Sequence, residues 1–524
     1  MSLEPIWIAG RWQTEPSPQG ELRSYNPRTG EALAPRFPIS GEATLRTALR
    51  AGRAAAEELR GVSPERIAAF LERCASNLEA DRDALVDSAH LETGLPKEPR
   101  LRNVELPRTT DQLRQAAAAA RSRSFCDAQI DTKLNLRSMR GPLGGPVAVF
   151  GPNNFPFAFN AVMGGDFAAA LAAGNPVIAK AHPGHLATTR RLAQAAAEAL
   201  TALELPAATV QLVYGLPAEL GLTLVAHPEL GATGFTGSRR GGLALKAAAD
   251  RAGKPIYLEM SAVNPLFLLP GALSERPSAI AKELATSCTL GTGQFCTKPG
   301  VSVLLAGSTA DAFSAELVTL LGAASLGALL SPTGAEQIQS SLALWTRHGA
   351  RVLCGGKPAG APGFGFESTL CSVSGKQFLE HPEALQAEAF GPVHLLVLAE
   401  TPDEMAAVAA QIEGSLTGCI YSHTQGEDDA LCERIAGQLR TRVGRLLNDK
   451  MPTGVAVSAA MNHGGPFPAT GHPGFTSVGM PSSITRFTAL HSYDAVRDHR
   501  LPSELRDRNP SNLWRRIDGE WTRA

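Results

Sequence analysis

The sequence predicts an α/β protein built on two parallel β-sheets. Short apolar runs alternate with Ala- and Leu-rich helical segments, and this alternation occurs in two successive blocks that meet near residue 260. Strands that alternate with helices form parallel sheets covered by helices on both faces. The length of 524 residues also exceeds what one hydrophobic core usually supports, so two or three domains are expected.

The first block contains the predicted elements up to residue 260. After a short strand-like opening, amphipathic patterns predict helices over 42–59, 64–92 and about 104–120. Pro107 suits the third helix because it falls in the first turn, where no backbone hydrogen bond is lost. Apolar runs closed by Gly or Pro then predict strands at 145–152, 175–180, 209–213 and 231–235, with helices at about 159–173 and 187–203.

The second block begins near Glu259 and extends past Gly444. Its clearest predicted strands lie at 265–269, 300–305 and 393–398. From Pro473 onward the chain is rich in Pro and polar residues, with one strand-like patch at about 484–493. We expect the last segment, 506–524, to be an extended tail that docks on a neighbour or frays.

Composition narrows the classes of function. The hydrophobic fraction of 44% and the charged fraction of 19% suit a globular protein rather than a disordered one. A net charge of −1, with Arg dispersed among acidic residues, indicates neither a nucleic-acid partner nor an anionic membrane surface. The N-terminus is too acidic for a signal peptide, no stretch predicts a membrane span, and the 8 cysteines lack the spacing of a disulfide framework or a metal site. We therefore expect a cytoplasmic protein without a metal ion.

Cys296 is the first candidate for chemistry, in the segment GQFCTKPG at 293–300. Gly and Pro constrain this loop, so the thiol can be exposed and its pKa lowered by backbone N–H groups. A single Cys is more often a buried structural residue, and Cys288, embedded in apolar sequence, illustrates that case.

Glu259 and Asn154 follow predicted strands. A carboxylate at the position of Glu259 is either paired with a cation or left desolvated with a raised pKa, as a general base requires. Asn154 lies in FGPNNFP at 150–156, on a tight loop at the carboxyl end of a strand. Its amide can donate to an oxyanion, although a turn asparagine is the commoner case.

Two further strand ends suit a dinucleotide. Lys180, followed by His182, stands where the ribose and phosphates of such cofactors bind, although many such lysines are simply solvated. Gly237 and Ser238 form a strand–turn–helix junction whose backbone donors suit a phosphate. A GxGxxG motif is absent, so the sequence lacks an ordinary Rossmann fingerprint.

In this order, the segments resemble the aldehyde dehydrogenase superfamily over nearly the whole chain. FGPNNFP looks like the family's PWNFP segment, with Asn153 in place of the usual Trp. Glu259 stands in the place of the ELGG glutamate, although MSA follows it here. Cys296 matches the GQxC nucleophile, and Glu388 with Phe390 matches the ExFGP segment that contacts the nicotinamide ribose.

Other segments narrow the resemblance to one branch. NPLFLLPGAL at 264–273, PTGV at 452–455 and HGGPFPAT at 463–470 are similar to α-ketoglutaric semialdehyde (2,5-dioxopentanoate) dehydrogenases. Related NADP-preferring fatty-aldehyde enzymes share this pattern. The resemblance therefore implies a semialdehyde substrate and an aldehyde dehydrogenase-like fold.

The resemblance also implies a mechanism. The Cys296 thiolate attacks the aldehyde, the Asn154 amide and the Cys296 backbone N–H hold the oxyanion, and hydride passes to the nicotinamide. Glu259 then activates a water that hydrolyses the thioester. Because acylating, CoA-dependent relatives tend to lack this base, Glu259 indicates hydrolysis to a carboxylic acid.

The expected preference for NADP over NAD depends on one position of the sequence. Many NAD-preferring relatives carry a Glu where this chain has Pro183, so NADP is expected to be accepted in preference to NAD. His182, Lys180, Arg239 or Arg240 would bind its 2′-phosphate. The full predicted cofactor-binding set comprises Lys180, His182, Gly215, Gly237, Ser238, Glu388 and Phe390.

The substrate expectation rests on Arg108. This residue lies on the helix that lines the tunnel mouth in relatives, where it would receive a distal carboxylate, unless it is an ordinary surface arginine. The apolar walls of the tunnel are predicted to be Phe155, Phe159, Phe295 and Phe467. Two alternatives stay open: an NADP-dependent dehydrogenase of long-chain or aromatic aldehydes, and a catalytically silent family member that acts as a binding subunit.

The resemblance finally implies a domain organisation. The predicted dinucleotide-binding domain comprises 1–123 and 141–259, and the catalytic domain comprises 260–460. An oligomerisation flap of 124–140 and 475–495 would pair with a partner's sheet, followed by a C-terminal tail at 496–524. We therefore expect a homodimer or a homotetramer.

Overall fold

The computed structural model of the chain describes residues 2–360 and 362–523. Met1, Ala361 and Ala524, which the predicted domain and tail ranges include, lie outside the described residues. Helices cover two seven-stranded sheets, and a five-stranded sheet stands beside them. Among the described residues, every helix is too short or too polar to cross a membrane.

The strands are numbered in chain order. They are β1 Ile6–Ile8, β2 Arg11–Gln13, β3 Gly20–Leu22, β4 Phe37–Ile39, β5 Gln129–Asp131, β6 Leu136–Pro142, β7 Val147–Phe150, β8 Val177–Lys180, β9 Val210–Val213, β10 Ala232–Thr236, β11 Ile256–Glu259, β12 Leu266–Leu268, β13 Val301–Leu305, β14 Arg351–Cys354, β15 Thr369–Ser374, β16 Val393–Ala399, β17 Ser415–Tyr421, β18 Val443–Asn448, β19 Thr488–Asp494, β20 Arg515–Ile517 and β21 Glu520–Thr522.

The α-helices are numbered in the same way. They are α1 Glu42–Leu59, α2 Pro64–Ala80, α3 Arg82–Thr93, α4 Leu106–Ser122, α5 Gly165–Ala172, α6 Leu186–Ala202, α7 Ala218–Ala226, α8 Arg239–Arg251, α9 Pro270–Glu275, α10 Pro277–Thr289, α11 Ser308–Gly322, α12 Gly334–Arg347, α13 Gly375–Glu380, α14 Pro382–Leu385, α15 Pro402–Gln411 and α16 Asp429–Leu439.

The first sheet has the order β11-β10-β7-β8-β9-β1-β2. Strands β7 to β11 are parallel, whereas the N-terminal hairpin β1–β2 joins β9 in the antiparallel sense. The register aligns Glu259 with Thr236, and Phe150 with Lys180. The loops that follow these strands therefore lie along one edge of the sheet, where open α/β folds bind their ligands.

The second sheet has the order β14-β15-β16-β13-β12-β17-β18 and is parallel except for its edge strand β14. Apolar side chains pack on both of its faces, as expected for a parallel sheet under helices. The third sheet, β19-β6-β5-β20-β21, is mainly antiparallel and leaves β19 at one edge. The α/β prediction with two parallel sheets is confirmed.

Two predicted helices differ from the structure. The segment predicted as one helix over 64–92 is divided into α2 and α3 at Asp81. The helix predicted over about 159–173 shortens to α5, because Asn160 competes for its backbone groups. The Asn160 side chain accepts from the Val162 N–H at 3.0 Å and donates to the Pro156 carbonyl at 2.9 Å, which stabilises turns instead of a helix.

The C-terminal segment was predicted wrongly as a tail that docks on a neighbour or frays. Its described residues form β20 and β21, which complete the third sheet of the same chain. The Arg516 N–H donates to the Ala128 carbonyl at 2.9 Å, and the Asp518 N–H donates to that of Ile130 at 2.9 Å. These backbone bonds, together with the buried side chain of Arg515, anchor the segment.

Candidate active site

Three side chains from distant parts of the chain converge in one place. Cys296 Sγ lies 3.6 Å from His463 Nε2, which lies 2.9 Å from Glu259 Oε1. These donor atoms all lie within 4.8 Å of one another. Glu259 and His463 are buried, and Cys296 is partly accessible. The structure thus brings a nucleophilic sulfur against an imidazole and a carboxylate.

Glu259 and His463 are held by contacts between β11 and the chain that follows β18. Glu259 is the last residue of β11, and the next N–H, of Met260, donates to the Ala469 carbonyl at 2.8 Å. The His463 N–H donates to Thr476 Oγ1 at 2.9 Å. Ser477 Oγ then donates to the second oxygen of Glu259 at 3.1 Å. Both carboxylate oxygens are therefore hydrogen-bonded, which fixes the orientation of the group.

The nucleophile loop precedes β13 and is fixed by close backbone contacts. Gly293 has φ +68° and faces Gly391, where a Cβ would stand 2.1 Å from the carbonyl oxygen, so only glycine fits. The Asn264 side chain donates to the carbonyls of Cys296 and Lys298, at 2.8 and 3.0 Å. These bonds define the position of the sulfur relative to the sheet edge.

Asn154 is buried beside this loop. Its Nδ2 donates to the carbonyl of Gln294 at 2.9 Å, which ties the loop after β7 to the nucleophile loop. An amide nitrogen carries two hydrogens, so one remains for a ligand. The placement is compatible with the predicted oxyanion donor.

The thiol of Cys296 does not have the lowered pKa that the loop sequence suggested. Burial raises its pKa well above the ordinary range, and the negative charge of Glu259 raises it further. Arg108 acts in the opposite direction and does not compensate. The thiol must therefore lose its proton to a neighbouring base before it attacks, and the Glu259 carboxylate accepts a hydrogen bond from it.

Of the two alternatives for Glu259, the structure favours the paired carboxylate over the desolvated one with a raised pKa. Burial would raise its pKa, but the charge of His463 and hydrogen bonds from His463, Ser477 and Cys296 lower it overall. Glu259 is accordingly a carboxylate at neutral pH. His463 is the hydrogen-bonding partner of Glu259 that the sequence left unidentified.

Aromatic rings form an apolar wall next to the cluster. Phe155 packs edge-on against Phe159 and Phe295, with ring centroids 5.2 and 5.4 Å apart. The Phe159 ring lies 5.8 Å from the His463 ring, which joins the wall to the catalytic cluster. Phe467 was also predicted to belong to this wall. Its side chain is 60% exposed, so its contact with a substrate stays a prediction.

Two guanidinium groups border the aromatic wall. Arg108 lies over Phe155 and Phe159, 5.7 and 5.2 Å from the ring centroids, and donates through Nη1 to the Val455 carbonyl at 2.8 Å. Its Nη2 is buried without a hydrogen-bond partner. Arg100, which sequence reasoning missed, lies 4.5 Å from the Phe155 centroid and pairs with buried Glu105 at 2.5 Å. A buried donor without a partner is costly, so Arg108 suits an anionic ligand.

The predicted cofactor residues lie along the carboxyl edge of the first sheet. Lys180 ends β8, and its ammonium makes no hydrogen bond or ion pair with the described residues. Burial lowers its pKa to about 8. His182 follows, and its Nδ1 accepts from the Gly184 N–H at 3.0 Å. Gly215 follows β9 and packs against Leu22, where a Cβ would come within 2.7 Å.

The junction after β10 has a partly different arrangement from the one predicted. Ser238 caps α8 by accepting from the Gly241 N–H at 3.3 Å, and the Gly237 N–H donates to the Glu259 carbonyl. Both groups therefore have local partners. Arg239, considered as a phosphate ligand, is instead paired with Glu413, whereas Arg240 is exposed.

Glu388 and Phe390 precede β16, next to the nucleophile loop. Burial raises the pKa of Glu388, against hydrogen bonds from Ser261 and Ala262 and the charge of Lys298. Lys298 is itself buried and donates to the Val393 carbonyl at 2.5 Å. The pKa of Glu388 is therefore raised overall, and its carboxyl oxygens can accept hydrogen bonds from a sugar hydroxyl.

The sequence relatives of the chain are aldehyde dehydrogenases. A sequence profile described as the Aldehyde dehydrogenase family matches residues 12–472. Alpha-ketoglutaric semialdehyde dehydrogenase 2 of Azospirillum brasilense is 39% identical over 514 residues, which cover 96% of each chain. The alpha-ketoglutaric semialdehyde dehydrogenase of Acinetobacter baylyi is 36% identical over 467 residues, or 86% of each chain.

Solved structures share the fold. Lactaldehyde dehydrogenase from Escherichia coli superimposes with a TM-score of 0.81 at 20% identity, covering 94% of this chain and 99% of that one. A variant of aldehyde dehydrogenase C from Pseudomonas syringae, complexed with NAD+ and octanal, gives 0.80 at 22% identity, covering 94% and 97%. The predicted aldehyde dehydrogenase-like architecture is confirmed by these likenesses.

Proposed function

The chain belongs to the aldehyde dehydrogenase family, and we propose that it uses Cys296 to oxidise a short semialdehyde that carries a carboxylate, such as 2,5-dioxopentanoate. The family-level activity is NAD(P)-dependent oxidation of an aldehyde. The observation that carries the catalytic assignment is the convergence of the Cys296 sulfur, His463 and Glu259 within 4.8 Å. The names of the two relatives support the choice of substrate.

The first half of the reaction is formation of a covalent adduct on sulfur. Glu259, which accepts a hydrogen bond from the Cys296 thiol, receives the thiol proton and passes it to solvent, while His463 Nε2 orients the carboxylate across 2.9 Å. The thiolate then attacks the aldehyde carbon. The free N–H of Asn154 and the backbone N–H of Cys296 stabilise the oxyanion, a contribution typically worth roughly 10²–10³ in rate.

The second half is hydrolysis of the thioester. Glu259, held as a carboxylate by His463 and Ser477, accepts a proton from the attacking water. The product is a carboxylic acid, and the Cys296 sulfur is released. Glu259 then passes the proton taken from water to the leaving thiolate of Cys296, which restores the starting state.

NADP is the cofactor that the edge residues fit. When bound, it supplies the oxidant, because its nicotinamide ring accepts a hydride. The half-buried side chain of Lys180 lacks a partner among the described residues, as a ligand for ribose and phosphate oxygens would. Pro183, in place of an acidic residue, removes a source of repulsion for a 2′-phosphate, and His182 stands next to it. Glu388 and Phe390 would contact the nicotinamide ribose.

The carboxylate of the substrate would bind Arg108. Its unpartnered Nη2 borders the aromatic wall of Phe155, Phe159 and Phe295, which would cover the methylene groups of the substrate. The same wall also suits long-chain or aromatic aldehydes, which are the second candidate class. The buried donor favours a carboxylate because leaving it unpaired costs free energy.

We also propose that the chain forms a homo-oligomer through the third sheet. Strand β19 is an edge strand, and its Leu490 side chain is 66% exposed. Leu134 and Leu136 add exposed apolar surface on the adjacent turn and strand. An exposed edge of this kind pairs readily with another chain. Light scattering after chromatography distinguishes a monomer from a dimer or a tetramer.

An aldehyde panel tests the proposed function. We expect NADPH formation with 2,5-dioxopentanoate and a much lower kcat/KM with pentanal, which has the same chain length without the carboxylate. Iodoacetamide should inactivate the enzyme by modifying Cys296, and the semialdehyde should protect it. Oxidation of long-chain or aromatic aldehydes in preference to the semialdehyde would replace the substrate assignment. No oxidation of any aldehyde, with Cys296 unprotected, would support a silent binding subunit.

A further inference from the structure

The Cys296–His463–Glu259 cluster also has the composition and geometry of a metal site. Its donors are a sulfur, an imidazole nitrogen and a carboxylate oxygen, one from each side chain. Sulfur and imidazole donors disfavour magnesium and calcium, which bind to oxygen, and they suit zinc. No local spacing in the sequence indicates such a site, because the three residues are at least 37 positions apart (296 − 259).

The distances fit a tetrahedral zinc ion. Zinc binds sulfur at ~2.3 Å and nitrogen or oxygen at ~2.0–2.2 Å, so tetrahedral ligands stand about 3.6 Å apart for sulfur with nitrogen and about 3.4 Å apart for nitrogen with oxygen. The observed separations are 3.6 Å between Cys296 Sγ and His463 Nε2 and 2.9 Å between His463 Nε2 and Glu259 Oε1. An ion between the three groups therefore requires that the carboxylate withdraw from the imidazole by about 0.5 Å, and the sulfur-to-carboxylate separation lies within 4.8 Å.

The surroundings support three protein ligands with one open position. Glu259 is oriented by Ser477 at 3.1 Å, and the His463 backbone is held by Thr476 at 2.9 Å. Such outer contacts orient the ligands of natural metal sites. Cys296 is partly accessible, which leaves a route for the ion and room for a water as the fourth ligand.

We propose that this cluster binds one zinc ion per subunit, and that the ion reversibly inhibits the enzyme by occupying the sulfur lone pair. Binding exchanges the ion for the thiol proton, which leaves to solvent; the imidazole binds through Nε2 as its Nδ1–H tautomer, and Glu259 binds as the carboxylate. The binding itself follows from the geometry alone. The inhibition rests on the proposed role of Cys296 as nucleophile.

Cobalt(II) is the probe, because it occupies zinc sites and reports its ligands by absorption. Addition of CoCl₂ to the intact enzyme without cofactor should produce a near-ultraviolet sulfur-to-cobalt charge-transfer band and intense tetrahedral bands in the visible, which saturate at one ion per subunit. Zinc should displace the cobalt, and a chelator should restore activity. Absence of cobalt binding would overturn the proposal.

Two perturbations identify the ligands. Cys296→Ser, or alkylation of the unaltered enzyme with iodoacetamide, should abolish the charge-transfer band, and the alkylation needs no folded variant. His463→Asn should weaken cobalt binding by more than about a hundredfold, since even loss of an outer contact typically costs 10–100-fold. Cobalt binding that survives both changes would refute the site.

A surface histidine pair provides the matched control. The His348 and His381 rings lie 4.4 Å apart away from the cluster and offer two nitrogen donors without sulfur. His348→Gln should leave the charge-transfer band and the inhibition unchanged. A cobalt signal that lacks the sulfur band and disappears in His348→Gln would assign the metal to the surface pair and overturn the proposal. If cobalt binds at Cys296 without inhibition, the site stands and the nucleophile assignment fails.

Discussion

Replacement of Arg108 by Met is the most direct test of how the substrate is recognised. Methionine keeps an unbranched apolar stem of similar length over Phe155 and Phe159, so the aromatic wall retains most of its packing. What is lost is the guanidinium, whose Nη1 is already bonded to Val455 and whose Nη2 is free. The variant therefore removes one hydrogen bond to a substrate carboxylate.

The size of the effect follows from that single bond. A hydrogen bond to a charged group contributes about 1.5–3 kcal/mol, which corresponds to a factor of roughly 10 to 150 in kcat/KM. We expect this loss for 2,5-dioxopentanoate and almost none for pentanal. The rate of NADPH formation, followed by its absorbance under steady-state conditions, measures both. The loss should appear mainly in KM, because the carboxylate lies far from the reacting carbon.

The control is a second arginine on the same helix. Arg114 lies on α4 but pairs with Glu79 at the surface, 2.7 Å away. Arg114→Met should leave kcat/KM unchanged for both aldehydes. Equal losses for the semialdehyde and pentanal in Arg108→Met, or no loss for either, would refute carboxylate binding by Arg108.

Three other residues give separate outcomes. Asn154→Ala should lower kcat by roughly 10²–10³-fold through loss of an oxyanion donor; a normal kcat would exclude its amide from catalysis. Glu259→Gln should slow turnover by roughly 10²–10⁴-fold, and an acyl-enzyme should accumulate. Mass spectrometry detects this adduct, and its absence would place the defect before hydrolysis. Burial lowers the pKa of Lys180 to about 8, so its positive charge is present below pH 8 and lost above it. KM for NADP should accordingly rise as the pH increases through 8, and a KM that rises equally in Lys180→Met would assign the effect to another group.

The sequence located most of the strand-end residues correctly. Lys180 and Glu259 each end a parallel strand of the first sheet, as their apolar flanks predicted, and Asn154 lies in the loop after β7. Their convergence follows because the carboxyl ends of parallel strands share one edge. Local patterns failed where a side chain competed with the backbone, as at Asn160, which shortened a predicted helix to α5.

What the sequence determined, then, was the order of elements, the family and the positions of a thiol, an amide and a carboxylate at the edges of sheets. The tertiary structure alone decided their electrostatic environment. His463 meets residues 167 and 204 positions away, burial and a nearby carboxylate raise the pKa of Cys296, and the ring of Phe467 remains in solvent. Burial and contacts between distant segments depend on how the two sheets pack together, and no local pattern of residues records that packing.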